Sequence, residues 1–270
     1  MRLVPVRLPV PQMAATSPAA GPPSSEPGGP KAGPVARPEG WLPGSPARWE
    51  ALGPGRSRHV GLSDVRRALA GGAVASPPGL VSDLGPAELP PRGDDRPAAV
   101  LCLLFERAEQ AHVVLTRRSP HLRYHAGEVS FPGGRLEPGE SPLEAALREA
   151  EEEIGAVPGA VEVLGELSPL TTRGSPAPVH CFVAAYPEPG RGAPALAPRS
   201  VEVDRVFTVA LADLVAPGAF HEELWPAPGS GRRAVPFFDL SALGEDVVWG
   251  ATGRMLAELV DAVLAPRLPA

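Results

Sequence analysis

The chain has 270 residues, enough for one sizeable domain with appendages or for two small ones. Its net charge of -6 at pH 7 supplies no whole-protein basic field, which removes broad nucleic-acid binding from consideration. A hydrophobic share of 43% can fill a real core, but 30 Gly and 37 Pro announce long stretches without regular structure.

Residues 1–55 contain 13 Pro and 8 Gly and cannot bury enough apolar surface to offset their ordering entropy, so they read as a disordered tail. Within it Trp41 and Trp49 either dock onto a domain or stay solvated. The opening MRLVPVRLPVPQ makes a poor signal peptide because Pro and Arg interrupt its apolar run. Arg2 and Arg7, with no acid before Glu26, leave a transit peptide as a minor alternative. Residues 56–97 read as a lead-in: a short helix from Leu62 to Leu69, with Ser63 as its cap and Gly71 just past its end, then a Pro-rich stretch.

From Ala98 the texture changes, and residues 98–264 read as the main domain, with 265–270 as a short tail. AAVLCLLF (98–105) and HVVLTRR (112–118), joined by the polar ERAEQA, predict a hairpin in a buried sheet. Further strands are expected at 161–168, 179–186 and 203–211, with a pair around 221–225 and 234–240. A closing helix from Gly250 to Leu264 carries Met255, Leu256, Leu259, Val260 and Val263 at helical spacing. Cys102 and Cys181 lie in separate apolar runs and read as buried thiols, with no spacing for zinc or a redox pair, which fits a reducing, cytoplasmic setting. No apolar run approaches the ~18 residues that span a bilayer, so no membrane partner is expected.

Between the strands, Ser141 begins S-P-L-E: Ser141 caps a helix, Pro142 occupies its first turn and Glu144 completes a capping box. Gly155 supplies the left-handed stop. Leu143, Ala146, Leu147, Ala150 and Ile154 form one apolar stripe about 100° wide. Glu149, Glu152 and Glu153 share a face roughly opposite, and Glu151 points elsewhere. Three carboxylates at the negative end of a helix each oppose the dipole by about 0.3–1 kcal/mol, and their mutual repulsion adds a few tenths. A solvated acidic face is the plain explanation. The Gly-rich loop FPGG (131–134) in front of the helix favours another: a dense set of oxygens suits a hard divalent cation.

The spacing Gly134, five residues, Glu140, seven residues, Arg148-Glu149-Ala150, one residue, Glu152-Glu153, one residue, Gly155-Ala156 resembles the Nudix box, G-x5-E-x7-R-E-U-x-E-E-x-G-U with U aliphatic, at every fixed position. That resemblance implies an α/β/α sandwich with a mixed sheet and hydrolysis of a nucleoside diphosphate linked to another moiety. It implies Glu149, Glu152 and Glu153 as ligands of Mg²⁺ or Mn²⁺, with the Gly133 carbonyl, and pairing of Glu140 with Arg148. Upstream, Leu115-Thr116-Arg117-Arg118-Ser119, then Arg123, Gly127 and Phe131-Pro132-Gly133-Gly134, resembles the signature of the coenzyme A pyrophosphatase branch. Val114 stands where that signature has its first Leu, and Glu128 where Gln is common.

The resemblance covers about residues 98–264 and implies cleavage of coenzyme A or acyl-CoA to 3′,5′-ADP and 4′-phosphopantetheine or its acyl derivative. Arg117, Arg118, Ser119, Arg123 and Gly127 would bind substrate, forked guanidinium donors being suited to phosphate. His121 and His125 read as loop residues within reach of phosphate. Glu202, Asp204 and Glu166 are candidates for the general base that activates water. Two alternatives stay open: hydrolysis of another nucleoside diphosphate derivative such as ADP-ribose, NADH or a nucleotide sugar, and a non-catalytic binding module that keeps the fold. The expected partner is a small-molecule substrate, and a homodimer is compatible with the sequence.

Overall fold

A computed structural model describes residues 35–53, 59–71, 96–172, 175–186, 195–227, 231–245 and 247–268. The tail 1–34, most of the Pro-rich lead-in (72–95) and the last two residues lie outside them, and so do the expectations placed there.

The hairpin forms as read, with β2 at Ala98–Arg107 and β3 at Gln110–Arg118. Its turn is tighter than the polar run suggested: only Ala108 and Glu109 lie outside the strands, both at positive φ (50° and 60°), the mirror-image turn that matches strand twist. β2 runs parallel to β7 (Ser175–Ala185), which pairs antiparallel with β6 (Glu162–Thr172), and β3 pairs on its far side with β8 (Val203–Ala210). β2 and β3 are paired only near their turn, from Leu104–Val113 to Arg107–Gln110. Beyond that they splay. Short β5 (Gly133–Arg135) takes the vacated edge of β2 at 98–100, and short β4 (Val129–Ser130) takes that of β3 at 116–117. The Gly-rich loop therefore sits inside the sheet, in the wedge between two diverging strands.

β2 is apolar from Ala98 to Phe105 because both its faces are covered there. Ala99, Leu101, Leu103 and Phe105 pack under the central helix (Pro142–Ile154) with Ala146, Ala150 and Ile154. Cys102 and Leu104 face the C-terminal helix (Gly250–Leu264) with Leu256, Leu259 and Val260. The result is a helix–sheet–helix sandwich with a mixed sheet. Both cysteines are buried free thiols.

The pair expected at 221–225 and 234–240 does form, but as the centre of a second sheet. β9 (Phe220–Pro226) and β10 (Arg232–Asp239) are flanked by β1 (Leu42–Pro43) and β11 (Val247–Val248). Phe238 of this sheet joins the core of the C-terminal helix, which is thus enclosed from two sides. Enclosure explains why its polar residues are paired: Asp261 meets Arg48 at 3.0 Å, and Glu258 accepts the Ser168 N–H at 2.8 Å where β6 is irregular.

Two local readings change. Residues 35–53 are not disordered: β1 pairs with β9, Trp49 is buried edge-to-face against Phe220 at 4.9 Å, and Arg37 meets Glu223 at 2.6 Å. Composition hid these anchors because few contacts carry them. The lead-in helix spans Leu62–Ala68 with Gly61, not Ser63, at its N-cap, since the Asp64 carboxylate accepts the Gly61 N–H. Trp41 stays exposed. Among the described residues no helix is long and apolar enough to cross a membrane.

Candidate active site

The central helix starts and stops where its sequence dictates. Ser141 Oγ accepts the Glu144 N–H, and the Glu144 carboxylate accepts the Ser141 N–H at 2.9 Å. Gly155 closes the helix in the left-handed conformation, with its N–H on the Glu151 carbonyl and the Ala156 N–H on that of Ala150. Because the stripe below is buried, the register of the box carboxylates is fixed. Glu153 is 6% exposed, Glu149 half-buried and Glu152 exposed. Glu151 is exposed and does not line the cavity described next.

A cavity of about 450 Å³ opens over this face. The helix contributes Glu149, Glu152 and Glu153; the wedge loop contributes Gly133, Gly134 and Arg135. Arg118, at the end of β3, and Ser200 and Glu202, before β8, complete the lining. The loop 196–202 is bolted to the helix end: the Arg199 N–H donates to the Glu153 carbonyl at 2.8 Å and the Ala197 N–H to that of Ile154 at 3.2 Å.

Arg148 organises the acids. Nε and Nη2 fork onto the two oxygens of Glu140 at 2.8 and 3.0 Å, and Nη2 also reaches the Arg135 carbonyl at 3.3 Å. Nη1 contacts Glu149 at 3.0 Å and Glu152 at 3.3 Å. Glu140 in turn accepts the Glu137 N–H at 2.8 Å. The loop and the helix are thereby tied into one unit, as the pairing of Glu140 with Arg148 implied. The Arg148 fork holds the Glu140 carboxyl below its ordinary pKa. Burial acts the other way on Glu149, whose pKa is raised, and on Glu153, which is pushed up to about 7 even though it accepts the Gly133 N–H at 3.1 Å.

Among the described residues no three acidic side chains converge on one point, and Arg148 Nη1 spans two of the box carboxylates. The donors nevertheless suit a hard divalent cation: all are oxygens. Glu149 lies where a Cβ on Gly134 would collide with it, and Glu153 offers a buried carboxyl with a raised pKa.

The substrate-binding candidates separate. Arg118 lines the cavity and contacts Glu202 at 3.2 Å. Arg117 does not: strand alternation turns it to the opposite face, where it is 2% exposed and lies 4.0 Å from Glu245. Ser119 is buried outside the lining, its N–H on the Glu202 carbonyl at 2.7 Å. Gly127, at φ 72°, closes the loop back onto the Arg118 carbonyl at 3.2 Å. Arg123 is exposed over Tyr124, His121 is exposed, and His125 pairs with Glu128 at 2.9 Å, all beyond the lining. Of the three base candidates only Glu202 reaches the cavity. Asp204 is exposed on β8, and Glu166 is bound to His180 at 2.7 Å on β6. Sequence reasoning missed Arg135 and Ser200 as lining residues. Arg135 follows the glycines directly, a position that was readable; Ser200 carried no signal.

The NUDIX domain profile matches residues 95–227. NudL of Escherichia coli K12, an uncharacterised Nudix hydrolase, is 37% identical over 171 residues, 61% of this chain and 81% of its own length. NudL of Shigella boydii serotype 18 matches to the same extent. Among solved structures, a MutT/nudix family protein of Enterococcus faecalis is 21% identical, with a TM-score of 0.41 over 66% of this chain and 65% of its own. The box carboxylates that share one cavity and the extent of the match to NudL agree: the chain belongs to the Nudix hydrolases, enzymes that act on pyrophosphate bonds.

Proposed function

We propose that this enzyme hydrolyses the pyrophosphate bond of coenzyme A or an acyl-CoA, releasing 3′,5′-ADP and 4′-phosphopantetheine or its acyl derivative. The position of Arg118 carries the reading. It belongs to the upstream signature and opens into the cavity that holds the box carboxylates, so a phosphate beside the box meets a guanidinium. Arg135 adds a second cation to the lining, and Arg123 a third on the loop outside it. Coenzyme A carries a 3′-phosphate besides its pyrophosphate and calls for more cations than a plain diphosphate.

Glu149, Glu152 and Glu153, with the Gly133 carbonyl, are the residues that would hold Mg²⁺ or Mn²⁺. Such an ion, when bound, supplies charge neutralisation for the pyrophosphate oxygens and makes water more acidic. The chain's own groups do the rest. Arg118 and Arg135 bind and orient phosphate oxygens. Arg148 keeps loop and helix in register through Glu140 and the Arg135 carbonyl. As water attacks phosphorus, Glu202 accepts its proton; the bond to the bridging oxygen breaks and the departing phosphate keeps the electron pair. The buried free thiols fit a reducing compartment, and we place the enzyme in the cytoplasm.

Purified protein with Mg²⁺ or Mn²⁺ is expected to release 3′,5′-ADP from coenzyme A, and Glu152→Gln and Glu153→Gln each to remove most of that activity. One observation favours a second reading: of Arg117, Arg118 and Arg123 only Arg118 lines the cavity, so a substrate with no third phosphate fits as well. Faster turnover of ADP-ribose or NADH in the same product-identified assay would establish that alternative.

A further inference from the structure

Among the described residues the cavity is lined by two cations, Arg118 and Arg135, and four carboxylates, Glu149, Glu152, Glu153 and Glu202. An anionic substrate therefore enters a space with an excess of negative charge, and the cation on β3 is already engaged. Arg118 Nη2 touches Glu202 Oε2 at 3.2 Å, a single contact rather than the two-point fork a guanidinium can make. Its Nε is sheltered from solvent and has no hydrogen-bond partner among the described residues. The pair is weakly committed: the two side chains are 24% and 51% exposed.

The backbones beneath are not free. The Arg118 N–H is on the Glu128 carbonyl at 2.9 Å and its carbonyl takes the Gly127 N–H at 3.2 Å. The Glu202 carbonyl takes the Ser119 N–H at 2.7 Å, and the Glu202 N–H reaches Ser200 Oγ at 3.2 Å. Only side-chain torsions remain to open the contact.

We propose that the Arg118–Glu202 ion pair is a latch that the phosphate of the incoming substrate opens. A phosphate oxygen pair satisfies the guanidinium by two contacts where Glu202 offers one, and takes Arg118. The Glu202 carboxylate, released, is left in the cavity without a partner, where a proton acceptor is wanted. Arrival of the anion and freeing of the carboxylate thus become one event. This rests on reading the cavity as a pyrophosphate site, but not on coenzyme A as the substrate.

The test is a double-mutant cycle read by calorimetry in Mg²⁺, with methylenediphosphonate, whose P–C–P bridge resists hydrolysis, as the probe. Exposed ion pairs are worth up to about 1 kcal/mol, about fivefold in an equilibrium constant. Glu202→Gln is expected to bind the probe about two- to fivefold more tightly than wild type, and Arg118→Gln more weakly. In the Arg118→Gln background the gain from Glu202→Gln should vanish, because no latch remains to release. An equal gain in both backgrounds would mean that Glu202 acts only as a through-space charge, and it overturns the proposal. So does the absence of any gain, or of probe binding by wild type. Arg118→Lys, which keeps the charge but not the fork, should restore part of the gain. Probe binding with this coupling in a protein that does not turn over coenzyme A would sink the substrate reading and leave the latch standing.

Discussion

The Cα of Gly134 lies against the carboxylate of Glu149: a methyl group on it would stand 2.5 Å from the carboxyl carbon and 2.9 Å from Oε2. Glycine here is demanded by the helix opposite, not by its own backbone. Gly134→Ala should push Glu149 aside and lower kcat/KM by about 10²-fold, the scale of a 1 Å misplacement at a reacting centre, with little change in melting temperature. The neighbouring position fails differently. Gly133 has φ 153°, and its Cβ would strike the Ala99 carbonyl and lie 2.6 Å from the Val100 Cα, so Gly133→Ala should damage the β2–β5 pairing and lower the melting temperature itself. Kinetics and thermal melts on the two variants separate these outcomes.

That contrast marks what a sequence discloses. The central helix was legible to the residue, because capping at Ser141, the apolar stripe and the Gly155 stop are local and agree with one another. The box carboxylates followed from its register. What could not be read were placements set by contacts distant in the chain. Trp49 and Phe220, or Arg37 and Glu223, meet across some 170 to 190 positions and give order to a stretch whose Pro and Gly content reads as disorder. Arg117 and Arg118 look equivalent as letters, yet the pleat of β3 sends one to each face. Glu202 and Asp204 were equally plausible bases until the irregular pairing beside Arg118 set which one borders the cavity.

Arg117 lies buried away from the cavity lining. Arg117 and Arg205 stand directly opposite each other on β3 and β8, a like-charge pair that destabilises a sheet unless answered. Glu245, from the segment between β10 and β11 of the second sheet, answers both. Removing one partner of a buried ionic cluster costs about 3–5 kcal/mol; the exposure of Arg205 lowers that, and Glu245→Ala should cost about 2–4 kcal/mol in a denaturant titration. Arg117→Met, which removes a buried charge and keeps its bulk, should cost less and leave KM unchanged. A rise in KM without loss of stability would return Arg117 to the substrate site.

Glu153 supplies the pH dependence. Burial raises its folded-state pKa from 4.5 to about 7, and the Gly133 N–H offsets only part of that. The sign follows from linkage. A carboxyl whose pKa is raised on folding stabilises the fold fully below pH 4.5, and loses that contribution as pH climbs through 7. Without metal, Glu153→Gln, which stays neutral, should melt higher than wild type at pH 8 and level with it near pH 5. A divalent cation reverses the balance, because it binds only the ionised carboxylate and expels the proton. Mg²⁺ affinity of the wild type should therefore rise by about tenfold per pH unit up to pH 7 and then flatten, with one proton released per ion on the acid side. Calorimetry in two buffers of different ionisation enthalpy counts that proton directly. An Mg²⁺ affinity independent of pH between 5.5 and 8, or a Glu153→Gln variant that keeps the wild-type profile, would remove Glu153 from the set of metal ligands.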